Sequence, residues 1–284
     1  MTLQPPMMIE TLLNQACRRL ASVSDSAQLD AQLLLADVLD VSTAYFYTWP
    51  DKLVPAKSAD QFECYVTRRE QGEPIAYILG RQDFWTLTLE VAPCTLIPRA
   101  DTERLVEVAL ELASDAKSIL DLGTGTGAIA LALAKELPEA AVQGVDFQTE
   151  AVQLARRNAT RNNIQNINFV QSDWFNSLSS ASKFELIVSN PPYIDPHDHH
   201  LEQGDVRFEP KTALVAENQG LADIDHIIKQ AVSFLAPKGW LMFEHGFDQG
   251  AAVRTLFCNQ GYTNVMTYQD FGSNDRVTVG QYRF

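Results

Sequence analysis

The residues best placed to do chemistry are Ser189-Asn190-Pro191-Pro192-Tyr193, which follow the apolar run Phe184-Glu185-Leu186-Ile187-Val188. That run is short and rich in β-branched residues, which predicts a buried strand. Two consecutive prolines lack the N–H donors that a ladder needs, so the strand stops at Asn190. Asparagine carries a carbonyl acceptor and an NH₂ donor, and the proline-stiffened backbone beside it leaves carbonyl oxygens with no competing local N–H. A planar NH₂ group can therefore give one hydrogen to the Asn190 side chain and the other to the backbone carbonyl of Pro191 or Pro192, with Tyr193 covering its face. Asn190, Pro191, Pro192 and Tyr193 are the candidate catalytic and substrate-binding residues. An Asn-Pro pair alone would be an ordinary strand-ending loop.

A second constellation lies upstream, in Asp121-Leu122-Gly123-Thr124-Gly125-Thr126-Gly127. Glycines let the backbone approach a ligand closely, and Asp146, at the end of the next predicted strand, can accept both hydroxyls of a ribose. Gly123-x-Gly125-x-x-Ala128 also satisfies the dinucleotide fingerprint, so this turn alone fits either a nicotinamide cofactor or S-adenosylmethionine. The acidic strand end and the dense glycines favour S-adenosylmethionine. Ser172-Asp173-Trp174 then puts a carboxylate and an indole where an adenine would lie, although Trp174 reads equally well as core. Gly123, Thr124, Gly125, Thr126, Gly127, Asp146, Trp174 and Asn190 are the candidate cofactor-binding residues.

The elements that position these residues alternate from Ser118 onward. Strands are predicted at 119–122, 141–145 (closed by Asp146), 167–170, 184–188, 240–243, 264–268 and 276–281, with helices at 128–137, 149–162, 221–235 and 251–258. This is a doubly wound α/β pattern whose ligand belongs at the carboxyl ends of the strands. The chain closes on two strands with no helix between them, so the last runs antiparallel, and the expected seven-stranded mixed sheet resembles the Rossmann-like class I methyltransferase variant.

Residues 1–75 read as a small helical domain. Leu12, Leu13, Ala16 and Leu20 recur at helical spacing, as do Leu29, Leu33, Ala36 and Leu39, with Ser26 or Asp25 as the cap of the second helix. Tyr45-Phe46-Tyr47-Thr48-Trp49 is an aromatic cluster suited to plug a core or to grip a partner. Gly72 falls where a left-handed C-cap belongs after a helix at 55–71. Residues 76–100 read as a β-hairpin linker that pairs Asp83–Val91 with Cys94–Ile97, and the catalytic domain spans 101–284. Asp101 or Thr102 is expected to cap the helix that follows. Between Ile194 and Gly220 lies a long aperiodic stretch, which is read as a substrate-facing lid.

The chain has 284 residues, 46% of them apolar and 20% charged, which describes an ordinary globular protein. A net charge of −14 disfavours a nucleic-acid duplex as partner, because phosphate binding rests on Lys and Arg. Cys17, Cys64, Cys94 and Cys258 are widely spaced and form no C-x-x-C pair, as expected of free thiols in a reducing compartment. His197, His199 and His200 lack the cysteines or the helical i, i+4 spacing of a metal site and read as solvated loop residues, so no metal is expected. Met1 to Glu10 show no leader pattern, and no run of about 18 apolar residues occurs anywhere, so a cytoplasmic protein without a membrane segment is expected. Monomer is the default expectation.

Asn190-Pro191-Pro192-Tyr193 after a buried strand is also the signature of methyltransferases that act on planar nitrogen. Taken with Gly72-Glu73-Pro74-Ile75-Ala76, Leu96-Ile97-Pro98-Arg99, Gln171-Ser172-Asp173-Trp174-Phe175, Gly204-Asp205-Val206-Arg207-Phe208-Glu209-Pro210 and Glu244-His245-Gly246, it makes the chain resemble the PrmC/HemK family over nearly its full length. These are the peptide-chain release factor glutamine methyltransferases. The resemblance implies N5-methylation of the glutamine in the Gly-Gly-Gln motif of class I release factors, which modulates translation termination. It also implies S-adenosyl-L-methionine as cofactor and S-adenosyl-L-homocysteine as product. It would place the cofactor on Gly123 to Gly127, Asp146 and Trp174, and the glutamine amide on Asn190 to Tyr193. Ala100 departs from the proline usual after Pro98-Arg99, which loosens the rim loop.

Three other readings compete. An adenine-N6 nucleic-acid methyltransferase would act on the same kind of NH₂ but would have to bind phosphates, against the acidic balance. A nicotinamide-dependent oxidoreductase accounts for the glycine turn and leaves Asn190 to Tyr193 unexplained. A non-catalytic binding module would not need an intact turn, Asp146 and Asn190.

Overall fold

The structure is a computed structural model in which residues 7–283 are described; Met1 to Pro6, Phe284 and the side chain of His200 lie outside the described residues. Contacts divide the chain into a helical unit, which runs to Gly80 and includes His199–Phe208, and an α/β unit made of Arg81–Asp198 and Glu209–Phe284. No described helix is long and apolar enough to cross a membrane.

The helical unit consists of α1 (Ile9–Leu20), α2 (Ala27–Leu39), α3 (Ala44–Thr48), α4 (Ala56–Glu70) and α5 (Ile75–Leu79). Helix α1 buries Ile9, Leu12, Ala16 and Leu20 on one stripe, and α4 buries Phe62 and Val66 against the same core. Each such side chain contributes roughly 1.5–3 kcal/mol when fully buried. Gly72, at φ +90°, ends α4 in the left-handed region as expected.

Helix α2 departs from its expected face. Its buried residues include Ala27, Asp30, Ala31, Leu34 and Leu35, while Leu29 is exposed. The helix is apolar nearly all round, so spacing alone cannot choose a stripe. The choice is made by Asp30, which goes inward to meet the buried Arg69 guanidinium at 2.8 Å. Arg69 also donates to Asp205 Oδ1 at 2.7 Å. Ser26 is the N-cap residue of α2, but its hydroxyl bonds to the Asp30 side chain and not to the backbone. In the aromatic cluster only Phe46 is buried; Tyr47 and Trp49 are exposed.

The α/β unit opens on a hairpin whose strands differ from those expected. β1 (Arg81–Phe84) pairs antiparallel with β2 (Leu87–Glu90) around Trp85 and Thr86, and Cys94–Ile97 is not a strand. Trp85 takes the positive φ of a tight two-residue hairpin at +56°, so the alternation across Asp83–Val91 belongs to two short strands. The turn lacks the glycine or asparagine that usually announces such a conformation.

There follow α6 (Glu103–Leu112), β3 (Ser118–Leu122), α7 (Ala128–Glu136), β4 (Ala141–Asp146), α8 (Thr149–Arg161), β5 (Ile167–Gln171) and β6 (Phe184–Ser189). The remaining elements are a distorted turn α9 (Glu217–Gly220), α10 (Ala222–Ala231), β7 (Leu235–Glu244), α11 (Gly250–Asn259), β8 (Thr263–Gln269) and β9 (Asp275–Gln281). The seven strands lie in the order β5-β4-β3-β6-β7-β9-β8, all parallel except β9, which is inserted antiparallel between β7 and β8. Strand β7 begins five residues before the expected Trp240, because Leu235 also pairs with Phe184 across a bulge. The core fills both faces of the sheet, with Val106, Leu131 and Phe169 in one cluster and Ile187, Ile227 and Phe257 in the other.

Strand order reverses between β3 and β6, the switch point at which doubly wound sheets bind ligands. Leu122 pairs with Val145 on one side and with Ser189 on the other. Three strand ends therefore stop at one level, and Gly123, Asp146 and Asn190 emerge side by side.

Candidate active site

Gly123, Gly125 and Gly127 all have positive φ, between +54° and +84°, so the turn after β3 requires residues without a Cβ. The Thr124 amide donates to Val145 O and the Gly125 amide to Asp146 Oδ2, each at 2.9 Å. The Gln148 amide donates to the other Asp146 oxygen at 2.9 Å. Burial raises the Asp146 pKa, and these two amides oppose that shift. Each carboxylate oxygen keeps a further lone pair for a ligand hydroxyl.

Beneath the turn, Asp121 is fully buried. Thr124 Oγ1 donates to Asp121 Oδ2 at 2.6 Å, and Oδ1 has no hydrogen-bond partner among the described residues. Burial pushes the Asp121 pKa up to about 7, the Thr124 hydroxyl opposing. The folded protein therefore holds a proton on Asp121, between the ordinary 3.8 and about 7, that the unfolded chain has released. Stability from this group falls as pH rises through that window and is level above it. Asp121→Asn is isosteric and does not titrate. Its stability relative to the parent is expected to rise steadily from about pH 4 to about pH 7 in thermal melts, and a pH-independent difference would contradict this assignment.

Trp174 stands against the turn, its ring 3.5 Å from where a Gly123 Cβ would lie. Its own φ of +47° is held by Ser172 Oγ, which donates to Trp174 O at 2.7 Å.

Asn190 Nδ2 donates to Thr102 Oγ1 at 3.2 Å, and Ser189 Oγ ties the strand end to Leu122 O at 2.8 Å. Thr102 precedes α6 but makes no side-chain cap bond, so the expected capping role is replaced by this contact. The Tyr193 hydroxyl donates to Glu244 Oε1 at 3.3 Å, and Gln249 Nε2 donates to Tyr193 O at 2.9 Å. Glu244 is buried at the end of β7, and its pKa is raised by that burial.

Gly220 abuts this corner. At φ +78°, an added Cβ would lie 1.9 Å from Tyr193 O. Gly220→Ala is expected to cost about 1–3 kcal/mol through overpacking and left-handed strain. It should also lower turnover severalfold by displacing Tyr193. Thermal melting and turnover measured together test this; an unchanged melt would refute it.

A cavity of about 280 Å³ opens over the strand ends. Of the predicted residues, Gly123, Thr124, Gly125, Thr126, Asp146, Trp174, Asn190 and Pro192 line it. Gly127, Pro191 and Tyr193 do not. Gly127 starts α7, where a Cβ would meet Leu131, Phe169 and Ala155 at 3.1–3.2 Å, so its demand is close packing. Sequence reasoning missed Thr102 and Asp223, which line the cavity, and also Glu244. Thr102 was legible only as a helix cap and Glu244 only as part of a motif. The remaining wall includes Thr95 and Leu96, from the segment expected to be a strand, and Pro98 just beyond it. Among the described residues no cluster of three metal-ligating side chains occurs.

The seven-stranded sheet with a reversed β9, and a glycine turn facing an acidic strand end, define a class I S-adenosylmethionine-dependent methyltransferase. A methyltransferase-domain model matches residues 113–266, and a PrmC N-terminal domain model matches residues 11–80. Among solved structures, a Thermus thermophilus 16S rRNA methyltransferase in complex with AdoMet and guanosine shares the fold. It has a TM-score of 0.55 at 18% identity over 72% of this chain and 50% of that one. The release factor glutamine methyltransferase of Aliivibrio fischeri is 55% identical over 96% of this chain and 97% of its own length. That of Vibrio cholerae is 56% identical over 97% of each. The chain belongs to the release factor glutamine methyltransferase family.

The residues present fit S-adenosylmethionine. Asp146 retains acceptor capacity that would suit a ribose diol, and Trp174 and the glycine turn line the same cavity, where they would flank the nucleoside.

Proposed function

We propose that this protein transfers a methyl group from S-adenosylmethionine to the side-chain amide nitrogen of the glutamine in the Gly-Gly-Gln motif of class I release factors. The observation that carries this reading is Asn190, whose carboxamide stands at the cavity wall with its NH₂ end engaged by Thr102. The carbonyl end is thereby available to a substrate NH₂. Kinship with proteins named for this reaction supplies the substrate. A net charge of −14 speaks against a nucleic-acid substrate, and a translation-linked substrate supports the cytoplasm as the place of the reaction.

The bound cofactor supplies an electrophilic methyl group on a sulfonium. This chain's own residues must solve a different problem. An amide nitrogen is a poor nucleophile because its lone pair is shared with the carbonyl, the resonance behind rotation barriers of about 18–20 kcal/mol. Asn190 Oδ1 and a carbonyl of the Pro191-Pro192 backbone would accept both N–H hydrogens, fix the nitrogen in line, and stabilise the positive charge that develops on it. Tyr193, held by Glu244 and Gln249, would cover the face of the amide. Positioning of this kind is worth on the order of 7–11 kcal/mol, and fixed acceptors add to it. No side chain becomes covalently attached.

The deciding experiment is mass spectrometry of a class I release factor incubated with the protein and isotope-labelled S-adenosylmethionine. A labelled methyl on the Gly-Gly-Gln glutamine is expected. A label elsewhere, or on duplex DNA offered in parallel, would overturn the reading.

A further inference from the structure

Gln249, the residue before α11, joins three stretches of chain that are far apart in sequence. Its Nε2 donates to Tyr193 O at 2.9 Å and to Gln219 O at 3.0 Å, and its Oε1 accepts from the Gly246 amide at 2.8 Å. A backbone N–H can only donate and a carbonyl oxygen can only accept, so one orientation of the carboxamide satisfies all three partners. The fit is close. A Cβ on Gly246 would lie 3.1 Å from Gln249 Oε1, and one on Gly220 would lie 2.7 Å from Nε2.

The Gly246 side of this junction is held by bonds of fixed direction. Gly246 O accepts from the Gln249 amide at 3.0 Å and from His245 Nδ1 at 2.8 Å. Burial lowers the His245 pKa and keeps the imidazole neutral, so Nδ1 carries its single proton. Nε2 then accepts from Thr278 Oγ1 at 2.7 Å, Thr278 from Thr267 Oγ1 at 2.7 Å, and Thr267 from Arg254 Nη1 at 2.6 Å. A guanidinium only donates, so no link of this chain can reverse.

The Gln219 side is strained backbone. Asn218, Gln219 and Gly220 take φ of +56°, +59° and +78° in succession, a left-handed run that side chains disfavour. Such strain persists only where the surroundings over-determine it. The stretch leading into it lies beside the residue after Tyr193: Ile194 N donates to Leu214 O at 2.9 Å, and Ala216 N donates to Ile194 O at 3.0 Å. Thr212 and Ala213, just before that bridge, line the cavity.

We propose that Gln249 is a positioning residue that fastens the returning end of the 194–220 segment to Tyr193, and thereby fixes the peptide that carries the tyrosine ring over the substrate amide. The inference rests on the function proposed above and deepens it. The Tyr193 side chain is pinned at its tip by Glu244 and at its root by Gln249. With the root released, the ring could still reach Glu244 from a shifted backbone, and the amide beneath it would lose its alignment.

The test compares Gln249→Glu and Gln249→Met with the parent in the full chain. Glutamate keeps the volume and the acceptor for Gly246 but gives up both donors, and methionine gives up all three bonds. Methyl transfer to a release factor and calorimetric S-adenosylmethionine binding are measured for each. Both variants should lower kcat about tenfold, with KM for the release factor within about threefold and cofactor Kd within about twofold. The cofactor should be spared because the turn at Gly125 and Asp146 is tied without Gln249. A second readout needs no methyl acceptor. With S-adenosylhomocysteine bound, NMR should show the Ile194 and Ala216 amides exchanging with solvent about tenfold faster in both variants than in the parent. A parent that leaves the release factor unmethylated would refute the proposed function, while the exchange rates still judge the fastening. Parent-like kcat in Gln249→Glu, a cofactor Kd that rises in step with the loss of kcat, or unchanged exchange at Ile194 and Ala216 would each overturn the inference. If one variant does not fold, the other decides.

Discussion

Asn190→Ala is expected to retain S-adenosylmethionine binding while methyl transfer to the release factor falls about a hundredfold, as when one oxyanion-hole donor is removed. A hundredfold is about 2.7 kcal/mol of barrier. It is what a fixed acceptor is worth when charge develops on the nitrogen it holds. The strand end should survive the truncation, because Ser189 Oγ remains bonded to Leu122 O and the Asp146 ties to Gly125 and Gln148 do not involve Asn190. The loss should therefore fall on kcat. Single-turnover transfer of labelled methyl, beside calorimetry with the cofactor, separates the two quantities. Full turnover by the variant would remove Asn190 from the chemistry altogether.

The second large effect lies in the helical unit. Arg69→Leu should destabilise it by about 3–5 kcal/mol, because it leaves Asp30 as a buried charge without its partner. Both side chains are less than one-tenth exposed, and Arg69 also donates to Glu73 O and Asp205. Breaking such a pair is costly even though the intact pair adds little net stability. Replacing both members with apolar residues, in Asp30→Leu/Arg69→Met, should accordingly recover much of the loss. Denaturant midpoints of the parent, the single and the double measure this. A single variant within 1 kcal/mol of the parent, or a double as unstable as the single, would contradict the account.

The seven-stranded sheet was legible because its signals are local. Its strands announce themselves by short apolar or β-branched runs, and Gly123 to Gly127, Asp146 and Asn190 lie at or directly after strand ends, so reading the strands also locates the ligand face. What escaped depends on partners distant in sequence. Nothing near Thr102 says that its hydroxyl will meet Asn190, 88 positions away, and nothing near Glu244 points to Tyr193, 51 positions away. The face of α2 escaped because Leu29 and Leu33 are as apolar as Leu34 and Leu35, and the tie is broken only by Arg69. The hairpin was misplaced because Trp85 adopts a conformation that its side chain does not advertise. Gly127 and Pro191 were grouped with their neighbours by motif, whereas packing separates them from the cavity wall.

The hydrogen bond from the Gly125 amide to Asp146 has a consequence for attempts to make this protein accept altered cofactors. Exchanging Asp146 to admit a bulkier or differently substituted sugar would also strip the turn of the acceptor that sets its shape, so nucleoside preference and backbone geometry cannot be engineered one at a time. A workable redesign would have to bring in a replacement acceptor for that amide in the same step.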